Sequence, residues 1–332
     1  MHFSSLNWSL RKMPNVFEFL GLSASHRAKN KVVQLVKHYD EVPSSRKSFP
    51  LIAQPKEDGV FGLVVMLGGK VAVFGRTGER LQSTSFIERL ASELMTEGVL
   101  IGEVLSKHPC SLEELSGVVN PNRVNPLDGN QLSIASGMYI ALHDFITIQD
   151  FVAGKCIAPY VNRYKKLRDL VDDSRIGVNL IQCTTIYDAV SLSKFTDMCL
   201  ANKKEGAVYK KPGEGWLAGH KGYRAMKVVG EVSYDLLCTG YEEGEGKYSG
   251  KVANLLFKWK DGQTIKAMLG KGWTHKDAED MLTSIKSGFV GINSANPIGY
   301  IFKVKGLMDS SKGKIRLPKV EEFRHDKVTA DY

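Results

Sequence analysis

Ala53-Gln54-Pro55-Lys56-Glu57-Asp58-Gly59 sets one lysine among acids and ahead of a glycine. An apolar, β-prone run follows, Val60-Phe61-Gly62-Leu63-Val64-Val65-Met66-Leu67. Lys56 therefore stands at the mouth of a predicted strand, where a turn glycine lets its side chain point into a pocket. An amine that has lost its proton is a nucleophile able to attack an electrophilic phosphorus. The ordinary lysine pKa of about 10.4 means that nearby cations or desolvation must first depress it. The same seven residues also read as a plain surface turn leading into a hairpin, and the rest of the chain has to decide between the two.

Downstream, Gly68-Gly69 joins Val60–Leu67 to Lys70–Phe74, a two-residue hairpin signal. Gly75-Arg76-Thr77-Gly78 then holds an arginine in a glycine-flanked turn, a geometry suited to bidentate contact with phosphate. Phe86 to Met95 has the spacing of an amphipathic helix. Val99 to Leu105 is an apolar strand that carries Glu103, a carboxylate that is costly to bury unless a metal, another cation or an edge position relieves it. Leu115 to Arg123 reads as a polar loop, and Met138 to Ile146 as a strand interrupted by His143 and Asp144. Helical patterns over Arg163 to Val171 and Ile186 to Leu200 flank a strand at Val178 to Gln182. Glu205-Gly206 again puts an acid ahead of a strand, with Lys210 at its far end; Lys221, Arg224 and Lys227 cluster beyond it, leading into the strand Met226 to Val229.

Upstream, residues 1–50 form a lead-in, partly helical, with Ser25 capping a helix through about Tyr39. Near Gly230 the character changes to short strands: Tyr234 to Gly240, a loop through Glu242 to Gly246, and Val252 to Lys260 turning at Asp261-Gly262 into Gln263 to Leu269. A helix around Lys276 to Ile285 follows, then strands near Tyr300 and Gly313. One helix among short strands suits a small Greek-key barrel of the OB type. The predicted fold is α+β: a lead-in (1–50), a domain of antiparallel sheets with flanking helices (51–229), and an all-β OB-fold barrel (230–332), with a hinge near Gly230.

Composition narrows the partners. The chain has 332 residues with 45 Lys+Arg against 36 Asp+Glu, a net charge of +9 that favours a polyanion or a phosphate-rich ligand. Five cysteines without CxxC spacing suggest reduced thiols and an intracellular, non-secreted protein. Neither a signal-peptide pattern nor a run of about 18 apolar residues occurs, so no membrane role is expected.

Taken together, these stretches resemble the covalent nucleotidyltransferases, most closely the ATP-dependent DNA ligases of the small bacteriophage type. Lys56-Glu57-Asp58-Gly59 is similar to the nucleophile motif Lys-x-Asp-Gly, and Arg76-Thr77-Gly78 to the Arg-x-Gly element that follows it. Gly102-Glu103 matches a Gly-Glu motif, and Leu142-His143-Asp144-Phe145 falls where a strand carries a base-stacking aromatic. Glu205-Gly206 with Lys210, then Arg224 to Val229, then Arg324-His325-Asp326-Lys327 complete the order. Three positions depart: Phe61 replaces a usual arginine, His143 replaces Phe, Tyr or Trp, and Val229 replaces the second lysine of Lys-x-Lys. Stacking is thereby left to His143 or Phe145, and Lys221 could supply the missing charge.

The resemblance implies adenylyltransfer from ATP to Lys56, with AMP passed to the 5′-phosphate of a nick and sealing by the 3′-hydroxyl. It implies Gln54, Arg76, Glu103, His143, Lys210, Lys227, Arg324 and Lys327 as nucleotide-binding residues. Glu103 and Glu205 would hold Mg²⁺ or Mn²⁺. The implied partner is nicked double-stranded DNA, bound without sequence preference by a monomer. An RNA ligase or a GTP-using mRNA-capping enzyme of the same superfamily, and a non-catalytic DNA-binding module, are the alternatives.

Overall fold

The computed structural model describes residues 14–94, 96–171, 178–288, 295–309 and 313–332. The chain divides into two compact units, one ending at Val229 and the other beginning at Gly230.

In the first unit the strands are β1 Leu35–His38, β2 Leu51–Lys56, β3 Val60–Leu67, β4 Lys70–Phe74, β5 Gly98–Ser106, β6 Met138–Ile146, β7 Lys155–Cys156, β8 Val178–Leu180, β9 Thr184–Ile186, β10 Gly206–Lys210, β11 Trp216–Leu217 and β12 Lys221–Val229. They form two five-stranded sheets, in the orders β1-β12-β10-β2-β9 and β4-β3-β5-β6-β8, with β11 and β7 as a small separate pair. The turn at Gly68-Gly69 takes positive φ at both residues, 58° and 72°, the primed hairpin geometry that matches strand twist.

Among the described residues, seven helices accompany these sheets: α1 Val16–Phe19, α2 Ser85–Ser92, α3 Leu112–Val119, α4 Gly129–Ser136, α5 Ile148–Ala153, α6 Tyr160–Leu170 and α7 Ala189–Ala201. Four of them (α1, α3, α4 and α7) start from capping boxes, at Asn15, Ser111, Asp128 and Asp188. One core joins Val64, Leu100, Leu142 and Phe145 of the second sheet to α2, α3 and α6. A separate cluster packs α7 through Leu192 and Cys199 onto Ala53, Ala207, Tyr209 and Met226 of the first sheet.

Two sequence expectations are corrected here. Residues 25–39 do not form a helix. Lys29–Lys31 is a single 3-10 turn, Val32 and Val33 are buried, and β1 pairs parallel with β12, His38 opposite Lys227. The open edge of β12 and the β-branched Val32-Val33 favour extension over helix once tertiary pairing is available. The expected polar loop at 115–123 begins instead as α3, whose N-cap Ser111 accepts from the Glu114 N–H while Glu114 reaches back to the Ser111 N–H. Leu115, Val118 and Val119 are its buried face.

The second unit is a closed barrel. Its strands are β13 Glu231–Glu243, β14 Val252–Lys258, β15 Thr264–Leu269, β16 Ile301–Asp309 and β17 Ile315–Phe323, with helix α8 His275–Ser287. The ring order is β13-β14-β15-β17-β16, and the apolar interior includes Leu236, Leu255, Phe257, Trp259, Phe302 and Val304. Strand β13 runs on through Glu243, into what the sequence suggested was loop. All five cysteines are free, and no helix among the described residues is long and apolar enough to cross a membrane.

Candidate active site

Side chains alternate across a strand, and antiparallel partners share a face. Lys56 pairs with Gly206, and Gln54 with Val208, which in turn pairs with Lys227. Gln54, Lys56, Val208, Lys210 and Lys227 therefore share one face of the first sheet, opposite the α7 core. Lys56 closes β2, and its carbonyl accepts from the Glu205 N–H at 3.0 Å. The Lys56 ammonium donates to the Glu205 carboxylate in a partly buried ion pair. Gly206 makes this strand start possible: its φ is +150°, and a Cβ there would lie 2.1 Å from the Val228 carbonyl oxygen. Burial lowers the Lys227 pKa first, and the Lys56 and Arg76 cations depress it further against the pull of Glu205.

The second sheet contributes Glu103, opposite Phe61 on one side and Ala141 on the other. Burial raises its carboxyl to about 8, and Glu205 and Asp58 push the same way against Lys56 and Arg76. Lys56, Arg76, Glu103 and Glu205 thus feel one another's charge and form one electrostatic site. Arg76 is exposed on its turn, with its guanidinium 5.9 Å from the centroid of the Phe61 ring. The aromatic that replaces an expected arginine thus faces another arginine.

His143 is the extra residue of a β-bulge: Ile101 pairs with Asp144, but the next residue, Gly102, pairs with Leu142. Strand β6 is bulged rather than interrupted. The bulge turns His143 out of the ladder, whereas Phe145 is 2% exposed within the core. Of the two rings considered for stacking, only that of His143 is accessible. The Lys210 ammonium lies 3.0 Å from His143 Nδ1 and 3.3 Å from the His143 carbonyl oxygen. It also sits 4.3 Å from the centroid of the Tyr160 ring. The Tyr160 hydroxyl lies 2.9 Å from both Gln54 Oε1 and the His143 carbonyl oxygen. Gln54 Nε2 donates to the Ile181 carbonyl at 3.1 Å.

Behind this face, Arg163 grips Asp144 with two hydrogen bonds of 2.9 Å and donates to the carbonyls of Ala158 and Glu214. Sequence reading passed over Tyr160 and Arg163. Their signal is Arg163 on the same helical face as Tyr160, Tyr164 and Leu167, all buried, which requires an anionic partner. Glu57 was also passed over; it forms an ion pair with Lys204 at 2.8 Å.

In the second unit, Arg324 donates to both Asp235 oxygens at 2.7 and 2.9 Å and to Asp326. Lys327 lies 3.4 Å from Asp235. Among the described residues no three His, Cys, Asp or Glu side chains cluster as a complete metal cage. Two carboxylates, Glu103 and Glu205, near the Lys56 ammonium nevertheless suit Mg²⁺, which commonly takes one or two carboxylates and completes its shell with phosphate oxygens and water. The high Glu103 pKa is consistent, since burial without a cation disfavours its ionised form.

The family model for an ATP dependent DNA ligase domain matches residues 31–228, and that for a DNA ligase OB-like domain matches 243–324. A probable DNA ligase of Mycobacterium marinum is 30% identical over 190 residues, covering 52% of this chain and 36% of that protein. A Halobacterium salinarum DNA ligase is 30% identical over 105 residues, covering 31% and 18%. The chain spans about a third or less of the length of these curated relatives.

Solved structures share the fold. Pmar-Lig_PreS3 has a TM-score of 0.72 at 18% identity, covering 88% of this chain and 67% of that one. A structure from work on Lig E DNA ligases scores 0.63 at 14% identity, covering 88% and 98%. The bacteriophage T7 ATP-dependent DNA ligase in complex with ATP scores 0.51 at 16% identity, covering 89% and 99%. With the catalytic-domain match extending over more than half of its residues, the chain belongs to the ATP-dependent DNA ligase family.

Proposed function

We propose that this protein seals nicks in duplex DNA using ATP, through an AMP carried on Lys56. The observation that carries the reading is the partly buried Lys56–Glu205 ion pair at the end of β2, with Glu103, Arg76 and Lys227 acting on the same charges. Lys56 gives up its proton and attacks the α-phosphorus; a P–N bond forms, the P–O bond to pyrophosphate breaks, and the AMP stays activated. The 5′-phosphate at the nick then takes the AMP, restoring Lys56. Attack by the adjacent 3′-hydroxyl on that phosphate releases AMP and closes the strand.

The protein's work is alignment and charge neutralisation. Lys227 contacts the α-phosphate, Arg76 the AMP or the nick phosphate, and His143 stacks on adenine above a floor formed by Gln54 and Lys210. Glu205 holds the Lys56 ammonium before reaction and is the nearest proton acceptor. Glu103 and Glu205 would hold Mg²⁺ or Mn²⁺, which supplies neutralisation of phosphate charge. Arg324 and Lys327 serve the pyrophosphate after release from Asp235. The substrate is nicked duplex, bound by a monomer through its backbone without sequence preference, and so sensitive to salt.

The test is incubation with Mg²⁺ and α-labelled ATP or GTP after stripping with pyrophosphate, followed by a denaturing gel. Label retained from ATP, absent in Lys56→Ala and discharged into sealed DNA by a nicked duplex is expected. Label from GTP would point to capping chemistry, and no label from either to a DNA-binding module.

A further inference from the structure

Lys210 is 6% exposed; its ammonium lies over the Tyr160 ring and makes two hydrogen bonds to one residue. That residue, His143, has been pushed out of the strand ladder by a bulge. We propose that Lys210 is a positioning residue for nucleotide binding, gripping His143 at both its ring Nδ1 and its carbonyl so that a neutral Nε2–H imidazole is presented as the stacking platform for the purine. The inference rests on the reading that AMP occupies this face of the first sheet.

A lysine ammonium has three donors and no acceptor, so at 3.0 Å Nδ1 must accept. The ring proton then sits on Nε2, and a second proton would set N–H against the ammonium. The second contact, to the His143 carbonyl at 3.3 Å, is reinforced by the Tyr160 hydroxyl at 2.9 Å. One cation thus fixes both the backbone of the bulge and the plane of its ring. A phenyl ring at this position would need no such clamp, since it has neither tautomer nor charge. A histidine does need one, because an imidazolium facing a bound base would repel the neighbouring Lys56 and Lys210 cations.

The surroundings agree. Burial and the Lys210 charge, with a smaller push from Lys56, hold the His143 pKa down at about 3, although Asp144 pulls the other way. Lys210 is itself lowered to about 8 by burial and by Arg163, against Asp144 and Cys183. Below that value Lys210 is an ammonium, a donor only, and holds Nδ1 as the acceptor. The charged groups that face the pair are Lys56, Asp144, Arg163 and the Cys183 thiol.

The experiment uses the full chain and measures KM for ATP and the maximal rate of adduct formation between pH 5.5 and 8.5. Wild type, Lys210→Met, His143→Phe and the double variant are compared. Lys210→Met is expected to raise KM about tenfold with a much smaller change in rate, and to add an ionisation near the ordinary imidazole value of about 6.5. In the His143→Phe background the same change should move KM clearly less than in wild type, because the carbonyl contact remains to be lost but no tautomer does. Equal losses in both backgrounds would make Lys210 merely structural and overturn the proposal.

A second measurement does not depend on the variants folding. Nitrogen NMR of the wild-type imidazoles should show His143 as the Nε2–H tautomer with no titration down to pH 5. A His143 ring that titrates at its ordinary value, or carries its proton on Nδ1, overturns the proposal even if the enzyme is active. A wild type with no adduct at all would instead sink the nucleotide reading, and the ring's role with it.

Discussion

Asp144 is a carboxylate 3% exposed, on a strand whose neighbours Leu142, Phe145 and Ile146 are core residues. Burial alone would raise its pKa. The Arg163 guanidinium, with two hydrogen bonds and full charge at contact, outweighs that and leaves the carboxyl below its ordinary range. Because the folded value lies below the unfolded one, the pair's contribution is complete above about pH 4 and is lost as pH falls through the folded value. Asp144→Asn keeps the shape but strands a buried cation, a change that typically costs about 3–5 kcal/mol. Urea unfolding at pH 7 should show a loss of that order, and the gap between variant and wild type should narrow below about pH 4. An unchanged midpoint at pH 7 would mean that Arg163 finds water or the carbonyls of Ala158 and Glu214 sufficient. This pair also marks where sequence reading stopped at residue scale. Lys56, Glu103 and Glu205 were visible because each is a charge at or within an apolar strand. Arg163 and Tyr160 share one helical face in the sequence, but that spacing does not say which strand the face meets, and the packing of α6 on β6 brings them to the site.

Among the elements, the bulged pairing of β5 and β6 does most to shape the site. Gly102 permits it: a Cβ there would stand 2.3 Å from the Ala141 carbonyl oxygen and 3.0 Å from Leu142 Cα, both backbone and neither able to rotate away. Gly102→Ala must therefore shift β5 or β6, and with it Glu103 and His143. Misplacement of about 1 Å can cost about a hundredfold in rate, so adduct formation should fall at least that far. Gly117→Ala in α3 is the control, since nothing lies within 4 Å of its Cβ and a helix interior favours alanine by roughly 0.5–1 kcal/mol. Equal activity in the two variants would show that the bulge does not set the geometry. Elements were legible where the local code is strong. Gly68-Gly69 and Asp261-Gly262 both predicted hairpins, and in both turns the two residues take positive φ. They were misread where the code is tertiary or short. Val32 and Val33 look like one side of a helix until the open edge of β12 recruits the following residues. The Ser111–Glu114 capping box is a start signal only four residues long, and it was passed over in a stretch rich in polar residues.

At the scale of the whole molecule, the two units differ in how their cores are closed. The first covers the faces of its sheets with helices, whereas the barrel closes on itself. Its apolar cluster, with Trp259 fully buried and α8 contributing Met281 and Leu282, is made entirely from residues after Gly230. Asp235, Arg324 and Lys327 are likewise bound to one another within that unit. A unit whose apolar core and barrel closure come from its own residues should fold alone, and at roughly 100 residues it lies within the size range where two-state unfolding is usual. Residues 230–332 expressed by themselves should give one cooperative urea transition. Trp259 is buried and donates to the Gly313 carbonyl at 2.8 Å, so its fluorescence should follow the same curve as the β-sheet circular dichroism. The seam to watch is β15 against β17, a short parallel pairing of Met268 with Lys319 and Leu269 with Val320, extended by the Gly270 N–H donating to the Val320 carbonyl at 2.9 Å. If the barrel opens anywhere first it should be there, and hydrogen exchange would show Met268 and Leu269 amides exchanging ahead of those of β13 and β16. A broad transition with non-coincident probes would instead mean that the barrel depends on the rest of the chain for its closure.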